Sequence, residues 1–299
     1  MSKILVIGAC NIDIIGLSHK ALIAGDSNPG SIKMMVGGVA KNIAENLHRL
    51  GQTVEFLTFL GGGSFAKPIR DYLDSLSIPY GESMVSQSAD SGIYLACHDA
   101  DGSLIAGIND VSLIESVGPA FFETKHAYLD SFDTIVLDTN LTEETLGYLL
   151  IRYAHKKLIV DGVSQSKVVR IKPYLHYIDL LKINLSELGA LLGEGTDDVI
   201  LGVKHLSDTG VTHAIVTNGK EPITYNIDKR IYQTLIFEPE KAVSSVGAGD
   251  ALLAGVIYGI HEGKSMHESL NDGKKAAAIT MEVEGACNPR LTKELLERE

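Results

Sequence analysis

The sequence predicts a doubly wound α/β sheet, parallel and covered by helices on both faces, with a small β-sheet beside it. Three observations carry that expectation. Short apolar runs at 4–7, 134–137, 158–160, 180–183 and 214–216 lack polar alternation, as strands buried on both faces do. Helical patterns lie between these runs, which is the rhythm of a layered α/β domain. Two stretches, about 12–36 and 91–109, break the rhythm with β-like pieces separated by turns such as Asp99-Ala-Asp-Gly102.

In chain order, the run 4–7 opens the sheet and Gly8-Ala-Cys-Asn-Ile-Asp13 follows it. Residues 40–50 place Ile43, Leu47 and Leu50 on one helical face, and Gly51 stops the helix. Residues 251–260 repeat Leu252, Leu253, Val256, Ile257 and Ile260 at helical spacing, and Gly263 ends them. The two β-like stretches are expected to form a sheet over the carboxyl ends of the parallel strands, the place for a lid. No repeat or linker divides the 299 residues, so one domain, 1–299, is expected.

Composition narrows the chemistry. A net charge of −12 with scattered lysines and arginines argues against nucleic-acid binding, which needs a basic footprint. No apolar run reaches the roughly 18 residues of a membrane span, and the start of the chain does not read as a signal peptide. Cys10, Cys97 and Cys287 have no paired spacing and read as small apolar residues in a reducing compartment. A cytoplasmic protein acting on a small molecule is expected.

The most informative segment is Ser244-Ser-Val-Gly-Ala-Gly-Asp250, which runs into the apolar helix. A glycine-rich turn at a helix start exposes amides where the helix dipole adds positive potential, which suits phosphate. Asp250 is then either a helix cap or a base facing the anion hole of Gly247, Ala248 and Gly249. A P-loop, a zinc motif and a nucleophile elbow are all missing from the sequence. Upstream, Asn11 and Asp13 alternate along one extended segment, so their side chains share a face. Gly37 and Gly38 precede a helix with Asn42 in its first turn. A carboxylate, an amide and bare backbone suit a vicinal diol, although Asn, Asp and Gly also build ordinary turns. Asn184 and Glu187, three apart after a strand, fit a capping box or a site organising Mg²⁺ through water.

Taken in order, Asn11/Asp13, Gly37-Gly38/Asn42, Asn184/Glu187 and Gly247-Ala-Gly-Asp250 resemble the ribokinase-like, or PfkB, carbohydrate kinase family along essentially the whole chain. The resemblance implies a three-layer α/β/α fold with a β lid and transfer of the γ-phosphoryl group of ATP to a sugar-type hydroxyl. It implies Asp250 as base, Gly247 to Gly249 as anion hole, and Asn184 and Glu187 organising Mg²⁺ and phosphate. Thr217 and Gly219 match positions lining the family's nucleotide pocket. Ser244-Ser245-Val246 stands where many members carry an aspartate tied to a monovalent cation, so only weak K⁺ dependence is expected. Pro222 interrupts the usual turn after Gly219. Within the family, Gly38-Val-Ala-Lys-Asn-Ile-Ala-Glu-Asn-Leu47, Ile108-Asn-Asp-Val111, Leu137-Asp-Thr-Asn-Leu141, Val160-Asp-Gly-Val-Ser164 with Lys167, and Asn288-Pro289 are similar to the pseudouridine kinases. That implies a nucleoside substrate held by Asn11, Asp13, Gly37, Gly38 and Asn42, with Asn109 on the lid contacting base or sugar, and Asp110 as the alternative. A homodimer through the β lid is also an expectation. The rival readings are a sister kinase for another sugar or nucleoside, and a silent sugar-binding regulator on the same fold.

Overall fold

The computed structural model describes residues 3–193 and 198–298. Strand β1 (Ile4–Ile7) opens the main sheet. The chain then leaves it for β2 (Asn11–Ser18) and β3 (Gly30–Gly37) and returns with β4 (Val54–Leu57). A short pair, β5 (Phe59–Leu60) and β6 (Met84–Val85), precedes β7 (Gly92–His98) and β8 (Leu104–Asp110). The main sheet resumes with β9 (Thr134–Asp138), β10 (Lys157–Asp161) and β11 (Leu180–Asn184). It ends with β12 (His213–Asn218), β13 (Glu221–Ile227) and β14 (Arg230–Thr234). Eight strands take the order β14-β13-β12-β11-β10-β9-β1-β4, while β3-β2-β7-β8 form a separate four-stranded sheet.

The apolar runs became neighbouring parallel strands because each buries both faces. Leu5, Ile7, Ile135, Leu137, Leu158 and Val160 point into one core. The alternate residues Ile4, Val6, Val136 and Ile159 point into the other. This period of two makes the domain three-layered. β1 pairs with β4 on one side and β9 on the other, so the strand order reverses there. A crevice opens at such a point beyond the carboxyl ends of the strands. β2, reached a few residues after β1 ends, raises the small sheet from this edge.

The sheet is not wholly parallel. β13 and β14 extend it antiparallel to β12, and the apolar-run criterion missed them because β14 is a mostly half-exposed edge strand. Pro222 fits inside β13 because the β12–β13 ladder shifts register between Val216 and Asn218. A proline is tolerated at such a bulge, where no amide is needed.

Between Asp250 and His261 the helix Ala248–His261 is apolar on nearly every face, as a helix packed between others tends to be. It lies against the helices Val39–Arg49 and Met266–Thr280. Its approach to the latter is so close that a Cβ on Gly255 would stand 2.7 Å from Gly273 Cα, and one on Gly259 2.6 Å from Ser269 Cα. Gly255→Val is therefore expected to destabilise the fold by about 1–3 kcal/mol through overpacking. A denaturant midpoint at the wild-type value, with unchanged slope, would contradict this packing.

Candidate active site

The site begins where the N-terminal and C-terminal motifs meet. Asp250 is the third residue of the helix Ala248–His261, behind an N-cap at Gly247, and no side-chain cap bond forms at this helix start. The capping alternative for Asp250 is thus corrected: its carboxylate is turned inward, 8% exposed. Oδ2 accepts a hydrogen bond from Asn42 Nδ2 at 2.7 Å. Burial, reinforced by Asp161, pushes the Asp250 carboxyl up to about 7, while Lys182, the Asn42 bond and Lys41 hold it down.

The glycines around Asp250 have separate causes. Gly247 takes φ +77°, which favours glycine, and a side chain there would collide with Ala286. Gly249 has no such backbone demand, but a Cβ on it would lie 2.5 Å from Lys182 Nζ. An ammonium therefore sits against the turn. Ala248 donates its amide to Ser245 O at 3.3 Å. The amides of Gly249 and Asp250 fall in the first helical turn, where no intrahelical acceptor exists.

Lys182 is the residue that the sequence reading missed. It lies inside the run 180–183, which reads as a plain buried strand. Its Nζ donates to Asp161 Oδ2 at 3.0 Å. Burial opposes its charge, but Asp161, Asp250 and Glu187 outweigh burial and raise its pKa. Asp161 is fixed in turn by the amide of Val163 at 2.9 Å. Val163 has φ +59°, a strained state for a β-branched residue. The available signal was a lysine at an interior strand position, since buried charges are seldom unpaired.

On the other side, Asn11 Nδ2 is bonded to Asp13 Oδ1, so these side chains share a face. Burial pushes the Asp13 carboxyl up to about 6, against Lys41 and the Asn11 bond. A Cβ on Gly37 would strike the Asp13 carboxylate, whereas one on Gly38, at φ +109°, would lie 2.3 Å from Ala9 O and, less closely, 3.0 Å from Asn11 Oδ1. The bare backbone at Gly37 therefore admits Asp13 itself, and that at Gly38 admits the chain at Ala9. Ladder partners across the small sheet give one row, Met35–Asp13–Tyr94–Asn109. Asn109 is on the Asp13 face but exposed and two strands away, about 10 Å. Asp110 is on the opposite face, and its Oδ1 accepts from the amide (3.1 Å) and hydroxyl (2.8 Å) of Ser112.

Asn184 and Glu187 form a complete capping box. Asn184 Oδ1 accepts from the Glu187 amide at 2.9 Å, and Glu187 Oε2 accepts from the Asn184 amide at 2.9 Å. Asn184 Nδ2 also donates to Glu187 Oε1 at 2.7 Å. Burial and Asp161 raise the Glu187 pKa. No group of three or more His, Cys, Asp or Glu side chains able to hold a metal occurs among the described residues. Thr217 is paired with Asn184 across β11 and β12, and Gly219 turns the chain into β13 with φ +57°. Both line a cavity of about 700 Å³ with Asn184 and Ser186, and another of about 400 Å³ that reaches Gly249.

The segments 137–141 and 160–164 build the floor. Asp138, fully buried, accepts from the amides of Ala9 (2.9 Å) and Ala40 (3.3 Å) and from both nitrogens of Asn140. Lys167 donates to Asn140 Oδ1 at 2.6 Å. This network ties the loop after β1 to the helix that carries Asn42.

A helix start offering free amides, a lysine and a shielded carboxylate at the switch point of the sheet is the architecture of a kinase for an alcohol of a sugar or nucleoside. The sequence model of the family described as pfkB family carbohydrate kinase matches residues 1–293, and the chain belongs to that family. It is 27% identical to the pseudouridine kinase of Escherichia coli K12, over 97% of this chain and 93% of that protein. It is 30% identical to an uncharacterised sugar kinase of the same strain, over 96% of this chain and 80% of that protein. Its fold superposes on a carbohydrate kinase from Agrobacterium tumefaciens with a TM-score of 0.86 at 29% identity, covering 99% of this chain and 96% of the other. No helix among the described residues is long and apolar enough to cross a membrane.

Proposed function

We propose that this kinase transfers the γ-phosphoryl group of ATP to the 5′-hydroxyl of pseudouridine, giving pseudouridine 5′-phosphate and ADP. The observation that carries the reading is Asp250, held by Asn42 beside the amides of the anion turn. A base with a pKa near neutrality accepts a hydroxyl proton efficiently as phosphate transfer proceeds. Amides of the Gly247–Gly249 turn and the Lys182 ammonium stabilise charge on the transferring group. Asp13, with Asn11, accepts from the ribose diol, and Asn42 orients the acceptor hydroxyl as well as the base.

Mg²⁺ is proposed as the metal that neutralises phosphate charge. Phosphates and water would be its main ligands, as this ion commonly prefers, with Asn184 and Glu187 ordering that water. K⁺ is assigned at most a weak stimulatory role, and Ser244-Ser245-Val246 offers no carboxylate for it. The four-stranded sheet acts as a lid, excluding water so that ATP is not hydrolysed. Its outer face carries the row Met34–Ile14–Leu95–Ile108, of which Met34, Leu95 and Ile108 are exposed. We assign that apolar face to a homodimer contact. A silent regulator has no use for a buried base, so it accounts less well for Asp250.

Asp250→Asn is expected to lower turnover by about 10²–10⁴-fold while nucleoside binding by calorimetry changes little. Because the carboxyl must be ionised to act, kcat/KM in the wild type is expected to rise with pH through about 7. Chelation should abolish activity, and Mg²⁺ or Mn²⁺ should restore it. Near-normal turnover of Asp250→Asn would remove its proposed role.

Pseudouridine and uridine differ by one ring N–H donor. A buried acceptor left unpaired by uridine costs about 1–3 kcal/mol, or roughly 5–150-fold in kcat/KM. Pseudouridine should be preferred by that factor once lid closure buries Asn109, which is exposed here, with Asn109→Ala narrowing the gap. Equal use of both nucleosides, or preference for a free sugar, would replace the substrate while keeping the Asp250 chemistry.

Sedimentation at micromolar concentration is expected to give a dimer mass, and Met34→Glu combined with Ile108→Asp a monomer. A monomeric wild type would exclude the lid contact.

A further inference from the structure

The side-chain amide of Asn42 has two unlike ends, and only the end carrying hydrogens can serve an ionised carboxylate. Its Nδ2 donates to Asp250 Oδ2, so Oδ1 is turned away from the base, and Cys287 stands beside it. Cys287 Sγ lies 3.7 Å from Asn42 Oδ1 and 3.8 Å from the Asn42 carbonyl. That carbonyl belongs to the helix Val39–Arg49, whose own ladder already uses it. The side-chain oxygen is the acceptor left over. From another side Lys41 Nζ approaches the sulfur at 3.9 Å, and Lys41 is itself paired with Glu45. An ammonium has hydrogens only to give. The sulfur therefore accepts from Lys41 and turns its S–H toward Asn42. Burial pushes the Cys287 thiol up to about 12 against the pull of Lys41, so the proton stays on the sulfur. The ordinary reading of Cys287 is a small apolar residue that fills space. A cation on one side and an amide oxygen on another oppose that reading. Cys287 also lines a cavity of about 590 Å³ together with Lys41 and Tyr72, so part of its surface packs against nothing.

We propose that Cys287 is a positioning residue for phosphoryl transfer, its S–H holding the Asn42 amide in the one orientation that offers Asp250 a donor. The proposal rests on the reading of Asp250 as the base. Turned over, the amide would set Oδ1 against the carboxylate, a contact that only a protonated Asp250 can satisfy. The S–H would then lose its acceptor and meet the amide hydrogens instead. Cys287 thus penalises the flipped, protonated state and favours the ionised base. Burial and Asp161 oppose ionisation of Asp250, while Lys182, Asn42 and Lys41 favour it. Cys287 adds no charge to that set and acts through the amide alone. Without its S–H the flip is free, and Asp250 keeps its proton to a higher pH.

The test follows the Asp250 carboxyl through a pH titration by NMR of protein carbon-labelled at its aspartate side chains, the signal being assigned by its loss in Asp250→Asn. Wild type, Cys287→Ala, Cys287→Val and Cys287→Ser are compared, each checked for folding by thermal melting. Alanine and valine both remove the donor, so one folded variant of the two suffices. In these the midpoint is expected to rise by about half to one pH unit, the worth of one hydrogen bond. Cys287→Ser keeps an O–H donor and should bring the midpoint most of the way back. In an Asn42→Ala background, Cys287→Ala should move it no further, because the effect passes through Asn42. With a nucleoside acceptor, kcat/KM of the donor-free variants should fall by about three- to tenfold on the acid side and recover on the alkaline side. A wild-type midpoint in the donor-free variants overturns the proposal. So does an equal shift in Cys287→Ser, or an added shift in the Asn42→Ala background, since either would mark a packing effect. A raised midpoint restored by serine, with turnover surviving in Asp250→Asn, would sustain Cys287 as the orienting group while sinking Asp250 as the base.

Discussion

The hydrogen bond from Asn42 to Asp250 joins residues 208 positions apart, and much of the local sequence follows from it. A carboxylate brought that deep must be paired, hydrogen-bonded or neutral. Here Asn42 supplies a donor and Lys182 an opposing charge, while Asp161 works in the other direction. The resulting balance leaves the group neither a permanently ionised salt-bridge partner nor an inert acid. To reach this position, Lys182 must pass under the helix start, and that path forbids a side chain at Gly249. The close approach of Ala286 does the same at Gly247. The Gly-Ala-Gly-Asp250 pattern is thus the imprint of two neighbouring groups as much as of a phosphate site.

An acidic protein that manages phosphate needs positive potential in a few places only. The described cations near the site are sorted by what accompanies them. Lys41 is tied to Glu45, which also accepts from Arg49 and Tyr72, so its charge is answered beside its own helix. Lys182 is shared between Asp161 and the anion turn. Lys182 and the amides of the first helical turn stand against Asp161, Asp250 and Glu187, so the net charge of −12 is countered locally, without an extended basic patch that would attract nucleic acid.

The five apolar runs were legible because strands buried on both faces leave no alternation, and all five became adjacent strands of the main sheet. The hairpin β13–β14 was not, because an edge strand is only partly buried and Pro222 looks like a breaker until the bulge at Val216/Asn218 is known. The Asn11–Asp13 pairing was readable from alternation alone. The inward turn of Asp250 was not: a capping and a buried carboxylate have the same one-dimensional signature, and only the helix start at Gly247 and the partner at Asn42 show that Asp250 is no cap. Lys182 was overlooked for a similar reason. Its neighbours Leu181 and Ile183 dominate the pattern, and the carboxylate that makes its burial tolerable comes from Asp161, on another strand.

The small sheet carries two chemistries on one set of strands. In β2 the alternation Ile12, Asp13, Ile14 sends Asp13 toward Asn109 and Tyr94, and Ile14 toward Met34 and Leu95. A slip of one residue in either ladder would exchange the polar row for the apolar one. The register is held at its root, where Gly37 faces Asn11 and a side chain at Gly37 would meet the Asp13 carboxylate. The glycines at that root therefore do more than turn the chain into the helix of Asn42. They fix which face of the sheet carries Asp13, and so they couple the polar row to the apolar row on its far side.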